Sequence, residues 1–187
     1  MAAGLKFVTS NEGKWFEVSR LLSSMGIECE WVRARLTEVQ SDDLTEIART
    51  SAIEAYGKFG GRVAVEDAGL FVEALRGFPG PYSSYVHRTI GIEGLLKLMS
   101  GVEDRRAHFL SAVGFADSDG NVVVFTGRAD GRIADAPRGS SGFGFDPVFV
   151  PEGETRTFAE MTVDEKNLFS HRAKAFRSLT EHLLRRR

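Results

Sequence analysis

Apolar and polar positions along the chain switch between two periods, and the switches predict the elements. Leu5-Lys-Phe-Val8 reads as a short strand, and Thr9-Ser-Asn-Glu12 turns from it into a helix. Trp15, Phe16, Val18, Leu21, Leu22 and Met25 give that helix an apolar side at mixed three- and four-residue spacing, and Gly26 ends it. Ile27 to Val32 alternates like a second strand. Leu44 to Phe59 is expected to be helical, with Leu44, Ile47, Ala48, Ala52, Ala55 and Phe59 along one side and Gly60-Gly61 as its stop. Arg62-Val-Ala-Val65 reads as a short apolar strand that delivers Glu66 and Asp67 at its end.

The second half changes rhythm. Gly77-Phe-Pro-Gly-Pro81 is a rigid turn, and Ile92 to Met99 a helix. His108 to Ala116 and Val122 to Arg128 pair as a hairpin across Asp117-Ser-Asp-Gly120. Arg138 to Gly144 is a glycine-rich loop, and a final helix runs from near Ala173 to Leu184. Helices and strands alternating at the front, with a hairpin later, predict an α/β chain with a mixed sheet. Without repeat, linker or low-complexity segment, residues 1–187 read as one domain.

Composition narrows the function classes. With 42% hydrophobic and 27% charged residues the chain is an ordinary globular protein. Its net charge of -2 argues against a general nucleic-acid binder. The Arg185-Arg186-Arg187 run reads as a solvated helix end, where cations complement the dipole. The single cysteine, Cys29, fits a reducing cytoplasm and reads as a small buried hydrophobe. Met1 to Phe7 lacks the pattern of a secretory signal, and no stretch is long enough to span a membrane.

Four segments carry candidate chemistry. Thr9-Ser-Asn-Glu-Gly-Lys14 lies between a strand and a helix, where backbone N–H groups bind anions and Lys14 adds a point charge. The same residues also read as a capped helix, with Ser10 or Asn11 as cap. Glu66-Asp-Ala-Gly69 places adjacent carboxylates at a sheet edge, a setting for magnesium or for activating water, but also for a simple turn. Glu38 and Glu46 are further acids that could join such a site. Gly142-Phe-Gly-Phe-Asp-Pro147 offers Phe143 and Phe145 to flank a flat base and Asp146 to accept hydrogen bonds; two core phenylalanines in a loop are the plainer reading. Lys166-Asn-Leu-Phe-Ser-His-Arg172 clusters Lys166, Ser170 and His171 at helical spacing and adds the forked donor of Arg172. The plainer reading of that segment is a helix followed by a capped second helix with its charges outward.

In order and spacing, these segments resemble the inosine triphosphate pyrophosphatase family, from Phe7 to about Ala175. The family opens with threonine or serine followed by x-Asn-x-x-Lys, matched by Thr9, Asn11 and Lys14. Its acidic Asp-Asp-Ser-Gly-Leu appears as Glu66-Asp-Ala-Gly-Leu70, and Ala-Leu-x-Gly-x-Pro-Gly-x-Tyr-Ser as Ala74 to Ser83. Gly-aromatic-Asp-Pro appears as Gly144 to Pro147, Thr-x-Ala-Glu-Met as Thr157 to Met161, and Lys-Asn-x-x-Ser-His-Arg as Lys166 to Arg172. In this chain Glu66 replaces the commoner aspartate and Ala68 the usual serine. The lysine usual at Ser51 is missing, as is the arginine usual after Tyr82, where Ser83-Ser-Tyr-Val86 stands. These departures resemble the archaeal branch.

The resemblance implies an elongated mixed β-sheet flanked by helices, with two lobes around a central cleft, and a homodimer. It implies magnesium-dependent hydrolysis of ITP, dITP and XTP to the monophosphate and pyrophosphate. Thr9, Asn11 and Lys14 would hold phosphates. Glu46 and Asp67, with Glu66, would hold the metal, and Asp67 would be catalytic. Phe143, Phe145, Asp146, Lys166, Ser170, His171 and Arg172 would surround the base and the nearby phosphate. A pyrophosphatase for modified pyrimidines and a non-catalytic nucleotide sensor are the alternatives.

Overall fold

The computed structural model describes residues 4–37 and 39–185. Glu38, Arg186 and Arg187 lie outside the described residues, and with them one candidate acid and most of the arginine run, as do residues 1–3.

The elements run β1 (Leu5–Val8), α1 (Glu12–Ser24), β2 (Cys29–Val32), α2 (Leu44–Phe59), β3 (Val63–Val72), β4 (Pro79–Gly80), α3 (Ser83–Thr89) and α4 (Gly91–Leu98). Then follow β5 (Arg106–Ala116), β6 (Val122–Ile133), β7 (Phe149–Pro151), α5 (Val163–Phe169) and α6 (His171–Arg185). One mixed sheet carries the order β2-β1-β3-β5-β6-β7, with β4 on β3. β1 is parallel to β2 and to β3, whereas the remaining pairs are antiparallel. The strong periodicities behave as read: α2 and β1 have the expected bounds, α1 agrees within a few residues, and the hairpin forms, with β6 running five residues past the expected Arg128, to Ile133.

β3 differs from its sequence reading. It does not stop at Val65 but runs to Val72, every residue from Val63 paired in register with β5. Asp67, Ala68 and Gly69 look like turn residues, yet the continuous ladder with β5 satisfies their backbone groups and outweighs local preference. The two acids therefore sit in mid-strand.

Register then decides which face each residue serves, because successive strand side chains alternate. Leu5, Phe7, Ala64, Val113 and Phe115 face α1 and α6 and pack with Leu21, Leu22, Phe176 and Leu179. Farther along the same face, Leu70, Val72, Ala107 and Phe109 enter a second core with Leu95, Phe149 and Phe158. Val8, Val63 and Val65 face the other way, onto Ala52 and Ala55 of α2, and Phe71 does so beside Leu44 and Ile47. On the first face Glu66 and Ser111 interrupt the apolar run, so the two cores part around a polar strip.

The outer edge of β3 is open at the same level. β1 pairs only with Val63 and Ala64, and β4 only with Leu70 and Phe71. Between them, among the described residues, 65–69 have no strand neighbour on that side. β4 approaches so closely that a Cβ on Gly69 would collide with the Gly80 backbone, which restricts this position to glycine. The gap in the edge is where the functional groups gather.

Candidate active site

α1 begins beside the gap. Asn11 caps it, its Oδ1 accepting from Lys14 N at 3.1 Å, while Thr9 Oγ1 accepts from Asn11 N at 3.1 Å. Trp31 stacks on Trp15 and donates its indole N–H to the Thr9 carbonyl at 2.9 Å, pinning the loop between β1 and α1. Capping and anion binding are thus compatible here: the cap fixes the helix end, and Thr9, Ser10, Asn11 and Lys14 all border one cavity of about 740 Å³. That size suits a nucleotide-sized ligand.

Behind the cavity wall runs a chain of alternating charges. Lys166 Nζ lies 2.6 Å from both Asp146 Oδ2 and Glu17 Oε1. Glu17 reaches on to Arg172 through its other oxygen. Arg172 Nε lies 3.2 Å from Glu66 Oε1, and Glu66 Oε2 lies 2.9 Å from Lys14 Nζ. Lys14 also donates to the Glu66 carbonyl at 2.9 Å, capping the open edge of β3, and Ser111 Oγ donates to Glu66 Oε1 at 2.6 Å. Three cations thus face three carboxylates, and all but Lys14 are nearly inaccessible. Such groups are stable inside a protein only when fully paired.

Burial opposes ionisation of Glu66, but Arg172, Lys14 and the Ser111 hydroxyl outweigh it and hold the carboxyl well below its usual range. Glu17 is likewise depressed, with burial overcome by Arg172 and Lys166. Asp146 shifts upward, because burial outweighs its contact with Lys166 and Glu17 is close by. Burial, reinforced by Arg172, drives His171 well below the usual imidazole range, so its ring is neutral. The ring stacks on Phe109 with centroids 4.6 Å apart and planes 10° from parallel. His171 borders the cavity, and its buried Nδ1 has no hydrogen-bond partner among the described residues.

The glycine-rich loop brings the aromatics. Asp146 Oδ2 accepts from Phe143 N at 2.9 Å and closes the turn. The Phe143 ring lies 5.2 Å from both Lys166 Nζ and the Arg172 guanidinium, and over Gly13, where any Cβ would meet it. Phe145 is buried, edge-on to His87 at 5.2 Å.

The acids separate. Glu66 shares the face of Ala64, and Lys14, Arg172 and Ser111 surround its buried carboxylate. Asp67 shares the face of Val63 and Val65, is half-buried, and borders the cavity. Glu46 stands exposed in the first turn of α2, which covers that face, and accepts from Ser41 Oγ at 2.7 Å. Among the described residues no group of three histidine, cysteine or acidic side chains forms a metal cluster. Magnesium needs no such cage: one or two carboxylates, waters and phosphate oxygens hold it, and Asp67 fits that use.

Ser170 is fully buried behind the wall, where its hydroxyl accepts from Ala173 N and caps α6. Thr9, Asn11, Lys14, Asp67, Phe143, Phe145, Asp146, Lys166, His171 and Arg172 converge on the cavity. Glu17 escaped sequence reading. Its signal was positional: it occupies the α1 stripe with Val18, Leu21 and Leu22, where a buried apolar residue belongs. Cys29 is partly buried and its thiol is pushed up to about 12 by burial, consistent with a packing role.

Residues 5–182 match the sequence model of the Ham1 family. The dITP/XTP pyrophosphatase of Hyperthermus butylicus is 56% identical over 94% of this chain and 92% of its own length. That of Methanopyrus kandleri is 53% identical over 94% and 93%. Among solved structures, the Staphylococcus aureus Ham1 protein superposes with a TM-score of 0.80 at 28% identity, covering 97% of this chain and all of its own. A HAM1 protein from Coxiella burnetii gives 0.82 at 28%, over 97% and 99%.

Proposed function

This chain belongs to the Ham1 family, and on that premise we propose that it hydrolyses non-canonical purine nucleoside triphosphates (ITP, dITP and XTP) to the monophosphate and pyrophosphate. The observation that carries the reading is the make-up of one cavity wall. A capped helix N-terminus with Lys14, the half-buried carboxylate of Asp67 from β3, the Phe143 ring over the first turn of α1, and a neutral His171 all border the same cavity. The names of the relatives support the substrate class.

The residues divide the work. The α1 N-terminus and Lys14 bind phosphate oxygens, and Lys14 is already fixed by Glu66. Asp67 positions and deprotonates the attacking water. Phe143 stacks on the base, its ring held from behind by Lys166 and Arg172. His171 Nδ1, without a hydrogen-bond partner among the described residues, would serve the base edge. With its proton on Nδ1, His171 would donate to a 6-oxo group and meet no acceptor on the 6-amino group of adenine. Guanine shares the 6-oxo edge, so preference over GTP would rest on exclusion of its 2-amino group. Magnesium, when bound by Asp67 with Glu46 from α2, would neutralise phosphate charge. We take the working form to be a cytoplasmic homodimer, which light scattering tests.

Turnover across a panel of XTP, dITP, ITP, GTP, dATP and modified pyrimidine triphosphates tests the specificity. The reading requires XTP, dITP and ITP to exceed GTP and dATP, with chelation of magnesium abolishing turnover. Preference for a pyrimidine, or binding without turnover, would overturn it.

A further inference from the structure

Two arginines at the cavity are not accounted for by this division of work. Five cationic side chains border it: Lys14, Arg35, Arg88, Lys166 and Arg172. Lys14, Lys166 and Arg172 are spent on Glu17, Glu66 and Asp146, three against three. The network can lend hydrogen bonds to a ligand, but it carries no surplus charge with which to neutralise one. Asp67 adds a further negative charge to the wall. A triphosphate entering this cavity therefore brings several negative charges to a lining that, without Arg35 and Arg88, has three cations (Lys14, Lys166, Arg172) against three acids (Glu66, Asp67, Asp146) and no positive surplus. No ion pair engages either arginine among the described residues, and both are exposed.

They come from separate parts of the chain. Arg35 lies in the segment between β2 and α2, and Arg88 in the last turn of α3. Both are exposed and border the same cavity, whereas Phe145, Lys166 and Arg172 on its lining are buried. Guanidinium forks are suited to phosphate oxygens.

We propose that Arg35 and Arg88 form a two-sided clamp on the terminal phosphates of the substrate and hold the pyrophosphate that leaves. This inference rests on the proposed reaction for its substrate, but the clamp can be tested without turnover. A cation in the last turn of α3 also complements the helix dipole. That contribution would move thermal stability and leave ligand affinity unchanged.

The test titrates the full chain, in magnesium buffer, with inorganic pyrophosphate and separately with inosine monophosphate. The variants are Arg35→Gln, Arg88→Gln and the pair, with Arg132→Gln, exposed on β6 and outside the cavity, as control. Each single variant should lose about tenfold in pyrophosphate affinity, as expected for one charged hydrogen bond. The pair should lose more, with inosine monophosphate affinity and the control unchanged. KM for XTP should rise in parallel. Undiminished pyrophosphate affinity in the pair would overturn the clamp, as would equal loss for the monophosphate. If the parent chain binds pyrophosphate through these arginines yet releases none from dITP or XTP, the clamp stands and the proposed reaction falls. If it releases pyrophosphate and the pair binds it undiminished, the reaction stands and the clamp falls.

Discussion

Glu66 and Asp67 are joined by one peptide bond and leave β3 on opposite faces of the sheet. Glu66 is locked between Lys14 and Arg172, whereas Asp67 borders the cavity on the α2 side. The unbroken ladder with β5 enforces this split, and it assigns the two acids different work.

Substitutions at the two positions should therefore separate. Asp67→Asn should lower kcat by about 10²–10⁴-fold, the range of a lost general base, with nucleotide affinity retained. Glu66→Gln should unfold more readily, by about 3–5 kcal/mol, because it breaks a buried ion pair. Denaturant unfolding and steady-state kinetics on both variants check this. Equal stability losses would contradict the face assignment.

Glu17 should behave as the keystone of the charge chain, since it joins Lys166 to Arg172. Glu17→Gln should destabilise the fold, and combining it with Lys166→Met should cost less than the sum. A double-mutant cycle reads the coupling, expected at about 0.5–3 kcal/mol for groups in one network. Additivity would show that the contact carries no energy.

What the sequence conveyed and what it hid have the same origin. α2 and the hairpin were legible because their apolar residues repeat at one period. The reach of β3 was hidden, because Asp67, Ala68 and Gly69 favour turns when taken alone and only pairing with β5 makes them strand. Glu17 was hidden by a similar override: a carboxylate in a buried stripe becomes sensible only once Lys166 and Arg172, about 150 residues away, are brought to it. The aromatic loop and Ser-His-Arg segment were legible by motif, but the motif did not distinguish His171, on the cavity wall, from Ser170, which caps α6 behind it.

Acid should expose the buried imidazole. The pKa of His171 is depressed in the folded chain, so below its ordinary 6.5 the unfolded chain binds the extra proton. Stability should thus fall as pH drops from 6.5, with a slope of up to about 1.4 kcal/mol per pH unit for one such group. His108, also depressed mainly by burial, adds a slope of the same sign, and Glu17 and Glu66 join below 4.5. Asp146, shifted upward, opposes them above its ordinary 3.8. The difference between parent and His171→Gln unfolding curves isolates the histidine, and parallel curves from pH 7 to 5 would contradict its neutral burial.

Gly13→Ala offers a cleaner test of the aromatic wall. Its Cβ would come within 2.5 Å of Phe143 Cδ1 and 2.9 Å of Cε1, so the ring must move. Alanine inside a helix is otherwise favoured over glycine by about 1 kcal/mol. The variant should keep or gain thermal stability while losing up to about 1–3 kcal/mol of base stacking, read as a higher KM. Unchanged KM would remove Phe143 from the base site.

The most direct measurement follows phosphorus products by NMR as the purified chain consumes XTP in magnesium buffer. One xanthosine monophosphate and one pyrophosphate should appear for each XTP consumed, at least about a hundredfold more slowly with Asp67→Asn. Release of orthophosphate with the diphosphate, or undiminished pyrophosphate release by the variant, would contradict this.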